Sequence, residues 1–192
     1  VDALLRQALL LVCGDPAQAL GSLGLLADAE QSQLVEWNRS QQRFDASRLL
    51  PELIAEQARL QPDAIALVHG NERLSFAELE ARANRLACLL VEQGVRPESR
   101  VGVSLERGNA MIVAMLGVLK AGGAFVPLDP DYPPERLSYM VEDSGLKWLL
   151  TSSDLAERLP LSASVAPLYL DQLDLSAFAD SAPAVQLHPL NL

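Results

Sequence analysis

Asp129 and Asp131 flank Pro130 just after a short apolar run. Two carboxylates at the carboxyl end of a strand can divide acid–base work between them. Asp before Pro also forms turns, and the turn is the preferred reading. Lys120 and Lys147 are the only lysines. Lys120 falls in the last turn of an apolar helix, where a cation meets the negative end of the helix dipole, so a structural role is preferred to catalysis. Lys147 opens a strand and is expected in solvent. Ser104, Ser152 and Ser153 lack the G-x-S-x-G frame of an activated serine. His69, at a strand end before a turn, is expected to be a hydrogen-bonded structural residue. Glu135, Glu142 and Asp143 are expected as solvated charge on a helix face.

No phosphate cradle of the G-x-G-x-x-G or G-x-x-x-x-G-K-[ST] type occurs. Gly122-Gly123 follows a helix and precedes a strand, the reverse of the order that aims backbone N–H groups at an anion, so a helix C-cap is expected there. Cys13 and Cys88 lie 75 positions apart, and His69 and His188 are the only histidines. Those spacings assemble no zinc-like cluster. They fit a reducing compartment with two small, buried thiols. Trp37 and Trp148 are isolated apolar anchors, with no interleaved basic residues for single-stranded nucleic acid. Residue types alone thus describe an α/β domain with no self-contained active site: no catalytic, cofactor-binding or metal-binding residue is assigned.

The 192 residues carry 15 Lys+Arg against 25 Asp+Glu, a net charge of −10. Such a surface repels phosphate backbones and anionic lipid heads, which argues against nucleic acid and membranes as partners. No basic segment precedes an apolar run at Val1, so no signal peptide is expected. The most apolar run, from Ala110 to Leu119, is about half a membrane span. A cytoplasmic protein is expected. Because Val1 is not Met, the chain is expected to be a piece of something larger.

The elements that must position these residues follow from the hydrophobic period. Leu4, Leu5, Ala8 and Leu9 recur at helical spacing until Gly14-Asp15-Pro16. A second short helix is predicted from Ala29 to Trp37, with Asp28 as N-cap and Gln31 closing the box. Gly21 to Leu26 between them is too glycine-rich for a helix interior. From Leu49 helix and strand alternate. Helices are predicted at Leu49–Leu60, from Ser75 to Gly94, at Ala110–Ala121, from Pro133-Pro134 to Gly145, and at Asp154–Leu159. Strands are predicted at Ala64–Val68, through Leu74 after the Gly70-Asn71 turn, and at Arg100–Leu105, Ala124–Leu128, Lys147–Thr151 and Pro167–Asp171.

Ser75-Phe76-Ala77-Glu78 is a capping box, and Phe76, Leu79, Ala83, Leu86 and Leu90 form one stripe. The helix at 110–121 is apolar nearly all round, which predicts burial between layers. Short strands alternating with helices mean an α/β fold with a mostly parallel sheet and helices on both faces. The tail from Leu175 is expected to be an irregular connector.

Two stretches resemble a known family. Leu74-Ser75-Phe76-Ala77-Glu78-Leu79, continuing to Ala87, is similar to the first core motif of the adenylation domains of nonribosomal peptide synthetases. Leu119-Lys120-Ala121-Gly122-Gly123-Ala124-Phe125-Val126-Pro127-Leu128-Asp129, continuing to Leu137, resembles their second. Leu105-Glu106-Arg107 and Glu142-Asp143-Ser144-Gly145 fit the same family, and Leu34-Val35-Glu36-Trp37-Asn38 resembles the linker that follows a condensation domain.

The resemblance implies residues 1–45 as that inter-domain linker, 46–175 as the N-terminal adenylation subdomain, and 176–192 as a connector to the phosphate-loop region. It implies a parent enzyme that uses ATP and magnesium to convert an amino acid to an aminoacyl-adenylate and loads it on a carrier-domain phosphopantetheine. The upstream condensation domain, the rest of the adenylation domain and the downstream carrier domain are the implied partners. The family's substrate-choosing, adenine-binding and catalytic-lysine positions come later, so none is carried over. The fragment alone is expected to be inactive, with an apolar face exposed where the remainder packs. Two other readings remain: a non-catalytic scaffold or docking module with an adenylation-like fold, and a fragment of an acyl-CoA or aryl-acid ligase.

Overall fold

The computed structural model describes residues 2–14, 17, 19, 26–42, 45, 47–160 and 163–191. The chain divides into two compact units, Val1–Asp45 and Ala46–Leu192. Among the described residues no helix is long and apolar enough to cross a membrane.

The first unit holds α1 (Asp2–Gly14) and α2 (Asp28–Trp37). α2 starts one residue earlier than the sequence predicts, with Ala27 rather than Asp28 at its N-cap. The methyl of Ala27 cannot cap, so the carboxylate of Glu30, not the amide of Gln31, takes up the Ala27 N–H at 2.9 Å. Gln31 instead donates weakly to the Leu26 carbonyl at 3.4 Å. Leu5, Leu9 and Leu10 of α1 are exposed, and no residue of α2 is buried. Trp37, expected as an anchor, is 67% exposed. Cys13, expected buried, is exposed too. Among the described side chains of these two helices none is buried. Asp15 and Pro16 of the predicted break, and 21–25 of the predicted linker, lie outside the described residues.

The second unit contains α3 (Leu50–Leu60), the antiparallel hairpin β1 (Ile65–His69) and β2 (Glu72–Ser75), and α4 (Phe76–Glu92). Then come β3 (Arg100–Val103), α5 (Asn109–Lys120), β4 (Ala124–Pro127), α6 (Pro134–Ser144), β5 (Trp148–Thr151), α7 (Ser153–Ala156) and β6 (Ala166–Tyr169). The last four strands form one sheet in the order β4-β3-β5-β6, parallel at every pairing. The predicted α/β sheet is therefore present, with the hairpin as a separate antiparallel element.

Side chains alternate across a strand, and Leu149 and Leu150 show it. Leu150 joins Val101, Val103 and the buried faces of α4 and α5. Leu149 joins Leu128, Leu146 and the α6 residues Leu137 and Val141 on the other face. Helices thus cover both faces. The α4 stripe is buried at Leu79, Ala83, Leu86 and Leu90. Its start is the predicted capping box: Ser75 Oγ accepts the Glu78 N–H at 3.2 Å, and Glu78 Oε2 accepts the Ser75 N–H at 2.8 Å.

α5 is less enclosed than predicted. Ala110 and Ile112 are exposed, and Met111, Met115 and Leu119 are half-buried. The buried face, Val113, Ala114, Leu116, Gly117, Val118 and Lys120, packs against α4 and the sheet, and the opposite edge through Ala110 and Ile112 stays outside. The described residues after β6 form neither helix nor strand, yet Leu173, Leu175 and Phe178 pack on the core shared by α4 and α5.

Candidate functional site

Ligands of open parallel sheets sit beyond the carboxyl ends of the strands. Here that place is a cleft of about 540 Å³ past β3 and β4, lined by Leu105, Glu106, Arg107, Asp129, Asp131, Tyr132 and Arg136 among others. The chain leaves β3 for α5 on one face of the sheet and β4 for α6 on the other, and the cleft lies between the two exits.

The two carboxylates of the sequence pattern come together there, but as a turn. Asp129 Oδ1 accepts the Asp131 N–H at 3.0 Å, and the Tyr132 N–H reaches the Asp129 carbonyl at 3.1 Å. Asp131 pairs with Arg158 at 3.1 Å. The Arg136 guanidinium lies 3.9 Å from the centre of the Tyr132 ring. This stacking is a cation–π contact from the first turn of α6 back to the turn before the helix, which the sequence reading missed. Each acid and Arg136 is thus already engaged with a local partner, and the preferred turn reading holds.

Ser104 is fully buried where β3 ends; its N–H donates to the Leu150 carbonyl at 2.9 Å and its Oγ has no partner among the described residues. Ser153 opens α7 and donates both its N–H, at 2.9 Å, and its hydroxyl to the Asp171 carboxylate. The hydroxyl bond is the main cause that holds Asp171 below the usual carboxylate range. The sequence carries no signal for this pair, whose members are 18 positions apart.

His69 is exposed at the end of β1, and no hydrogen bond of its ring is found among the described residues, contrary to expectation. Its ring instead lies against Gly108, where a Cβ would stand 3.4 Å from Nδ1. Cys88, expected buried, is half-buried, and desolvation raises its thiol pKa. Lys147, Glu135, Glu142 and Asp143 are exposed as expected, and Trp148 is half-buried on the core.

Lys120 ends α5 as predicted, but a dipole is not its main partner. Its Nζ lies 2.5 Å from Glu80 Oε1 on α4. Gly122 follows α5 with φ +84°, the expected C′ residue. Gly123 is packed so closely that a Cβ would come 3.1 Å from the Ser99 carbonyl oxygen. Among the described residues no group of three or more His, Cys, Asp or Glu is placed to hold a metal ion.

Comparison with known proteins places this geometry. A model of the family "AMP-binding enzyme" matches residues 54–189. Gramicidin S synthase 2 of Brevibacillus brevis is 45% identical over 159 residues, 82% of this chain and 4% of that protein. The dimodular nonribosomal peptide synthase of Bacillus subtilis (strain 168) is 40% identical over 171 residues, 88% of this chain and 7% of its own. The crystal structure of the nonribosomal peptide synthetase FmoA3 in its AMPPNP-bound form superposes with a TM-score of 0.77 at 31% identity, covering 100% of this chain and 21% of that one. The chain therefore spans a small part of the relatives it matches. With its two motifs, its parallel sheet and these likenesses in agreement, the chain belongs to the AMP-binding enzyme family and matches the amino-terminal part of a nonribosomal peptide synthetase adenylation domain.

Proposed function

We propose that this chain is the front part of a domain that activates an amino acid with ATP and magnesium and passes it to a carrier-domain phosphopantetheine. It supplies a sheet layer and one wall of the ligand cleft, while residues beyond it carry the chemistry. Residues 1–45 act as the linker from a condensation domain, 46–175 as the N-terminal subdomain, and 176–192 as the connector. The parent works in the cytoplasm and is served by the condensation domain upstream and the carrier domain downstream.

The observation that carries this reading is the cleft past β3 and β4, which stands where an open sheet binds ligand but holds no phosphate cradle. The residues present do not fit ATP with magnesium. Asp131 is committed to Arg158, Arg136 to Tyr132 and Lys120 to Glu80. The one paired glycine sits at the carbonyl end of α5, where the dipole repels phosphate. On this reading the chain alone is inert. An apolar groove of about 340 Å³, lined by Leu50, Leu119, Phe125 and Leu187 beside the edge strand β4, supports a missing layer.

The first test is the coding sequence beyond residue 192. A Ser/Thr/Gly-rich loop ending in Pro-Lys-Gly within about 20 codons, as a phosphate cradle requires, supports the reading. A stop codon there transfers it to the scaffold alternative. Amino-acid-dependent ATP–pyrophosphate exchange by the 192-residue chain itself would refute inertness. Exchange by a longer chain only with acids lacking an amine would point to the acyl-CoA or aryl-acid ligases.

A further inference from the structure

The first and second motifs meet inside the α4–α5 interface through Lys120 and Glu80. The two side chains are 4% and 17% exposed. Desolvation of a pair this deep can exceed the attraction it recovers, so stability alone is a poor account of it. Glu80 Oε1 also faces Asn84 Nδ2 at 3.4 Å, one turn along α4. Asn84 is 3% exposed, and the same Nδ2 donates to the Asp180 carbonyl oxygen at 2.6 Å.

Asp180 lies in the segment after β6. That segment lies along the second unit as an extended strap. Pro183, Val185 and Leu187 are half-buried and alternate with exposed Ala184, Gln186 and His188, the two-residue period of an extended chain laid on a surface. Val185 and Leu187 reach Gly122, where a Cβ would stand 3.1 Å from Val185 Cγ1. Cys88, one turn beyond Asn84, sits beneath the strap with Sγ 3.7 Å from both the Ala179 and Ser181 carbonyl oxygens.

We infer that Lys120, Glu80 and Asn84 form a positioning network in which the buried ion pair orients the Asn84 amide and that amide latches the strap onto α4. Orientation is the essential point. Nδ2 donates toward two oxygen acceptors, Glu80 Oε1 and the Asp180 carbonyl, so a flipped amide would set oxygen against oxygen at both. Glu80 Oε1 must be held in place to enforce this, and the Lys120 ammonium at 2.5 Å holds it. In the reading above, the strap leads the chain toward its phosphate-binding residues, so the latch sets where they begin; the latching itself does not depend on that reading.

Cys88 reports on the latch because the strap covers it. In a Cys13→Ser background, alkylation of Cys88 by iodoacetamide and amide exchange across 176–187 are measured, with exchange in α4 and α5 as internal reference. Asn84→Ala is expected to speed Cys88 alkylation roughly five- to tenfold, the weight of one net hydrogen bond, while α4 and α5 keep their protection. The paired variant Glu80→Leu/Lys120→Leu removes both charges at once and leaves none buried alone. It is expected to release the strap in the same local way, by a smaller factor. Alkylation and strap exchange at the parental rate in either folded variant overturn the latch. So does a loss of protection spread evenly over α4, α5 and the strap. Neither readout involves ATP or amino acid, so failure of the latch and failure of the adenylation reading are separate results.

Discussion

Gly117 of α5 stands against Leu86 of α4 so closely that a Cβ on Gly117 would fall 2.9 Å from Leu86 Cδ2, 3.0 Å from Cγ and 3.2 Å from Cβ. The two helices approach through this glycine. It is what lets the α4 stripe and the α5 stripe share one core with β3 and β5.

Gly117→Ala therefore tests two opposed effects. Alanine favours a helix interior by about 1 kcal/mol over glycine. Overpacking a filled core costs about 1–3 kcal/mol, and Leu86 Cβ rides on the backbone and cannot swing away. The net expectation is a loss of about 1 kcal/mol, read as a lower urea midpoint with unchanged m-value. A higher midpoint would show that the helices separate freely.

Breaking the Lys120–Glu80 pair from one side leaves a buried charge alone. Lys120→Met is expected to destabilise the chain by about 3–5 kcal/mol, and Glu80→Leu/Lys120→Leu by far less. Urea unfolding of the two variants beside the parent gives the comparison. Equal losses would mean that the pair contributes through packing of its stems and not through charge.

Gly122 and Gly145 both end helices with positive φ, +84° and +60°. Alanine carries a similar backbone penalty at each, about 1–2 kcal/mol. A Cβ at Gly145 meets nothing within 4 Å, whereas at Gly122 it meets Val185 at 3.1 Å and Leu187 at 3.3 Å. Gly122→Ala is thus expected to cost more and to raise amide exchange in the strap, which Gly145→Ala leaves unchanged.

Four carboxylates, half-buried Glu56 and exposed Glu78, Asp171 and Asp174, are held below their ordinary range. Glu56 is lowered chiefly by its hydrogen bond from Arg48, Glu78 by the Ser75 N–H, Asp171 by the Ser153 hydroxyl and Asp174 by the Ser176 hydroxyl. A depressed folded pKa adds stability that is present above the unfolded pKa, about 4, and is lost as pH falls through the folded value. The urea midpoint should hold from neutral pH to about 5 and decline below about 4. Ser153→Ala returns Asp171 toward the ordinary range and should flatten part of that decline; an unchanged acid profile would remove Asp171 from the account.

Ser75→Ala cuts one arm of the α4 capping box and should lower stability by about 1 kcal/mol, measured at about pH 7 where the Glu78 arm is intact.

Features that depend on neighbours two to four positions apart were legible in the residues alone. Ser75 and Glu78 close a box across one turn, and Gly94, Gly122 and Gly145 stop helices where the apolar period ends. Alternation of these elements was enough to name a parallel α/β sheet, because a crossover must cover a face before the next strand can pair. The Asp129–Asp131 turn was legible for the same reason, since its bond spans two residues.

Contacts between distant residues became visible only in the folded chain. Lys120 reads as a dipole cap until folding brings Glu80, 40 positions away, to its ammonium. The tail reads as an irregular connector because Ala, Ser and Pro break up any apolar period in it, yet Asn84, 96 positions away from Asp180, takes up its carbonyl. His69 and Cys13 were misjudged for the converse reason: burial and partners belong to the assembled surface, and residue type predicts them only on average. Local patterning sets which elements form, while desolvation and close packing between them set which polar groups must find each other.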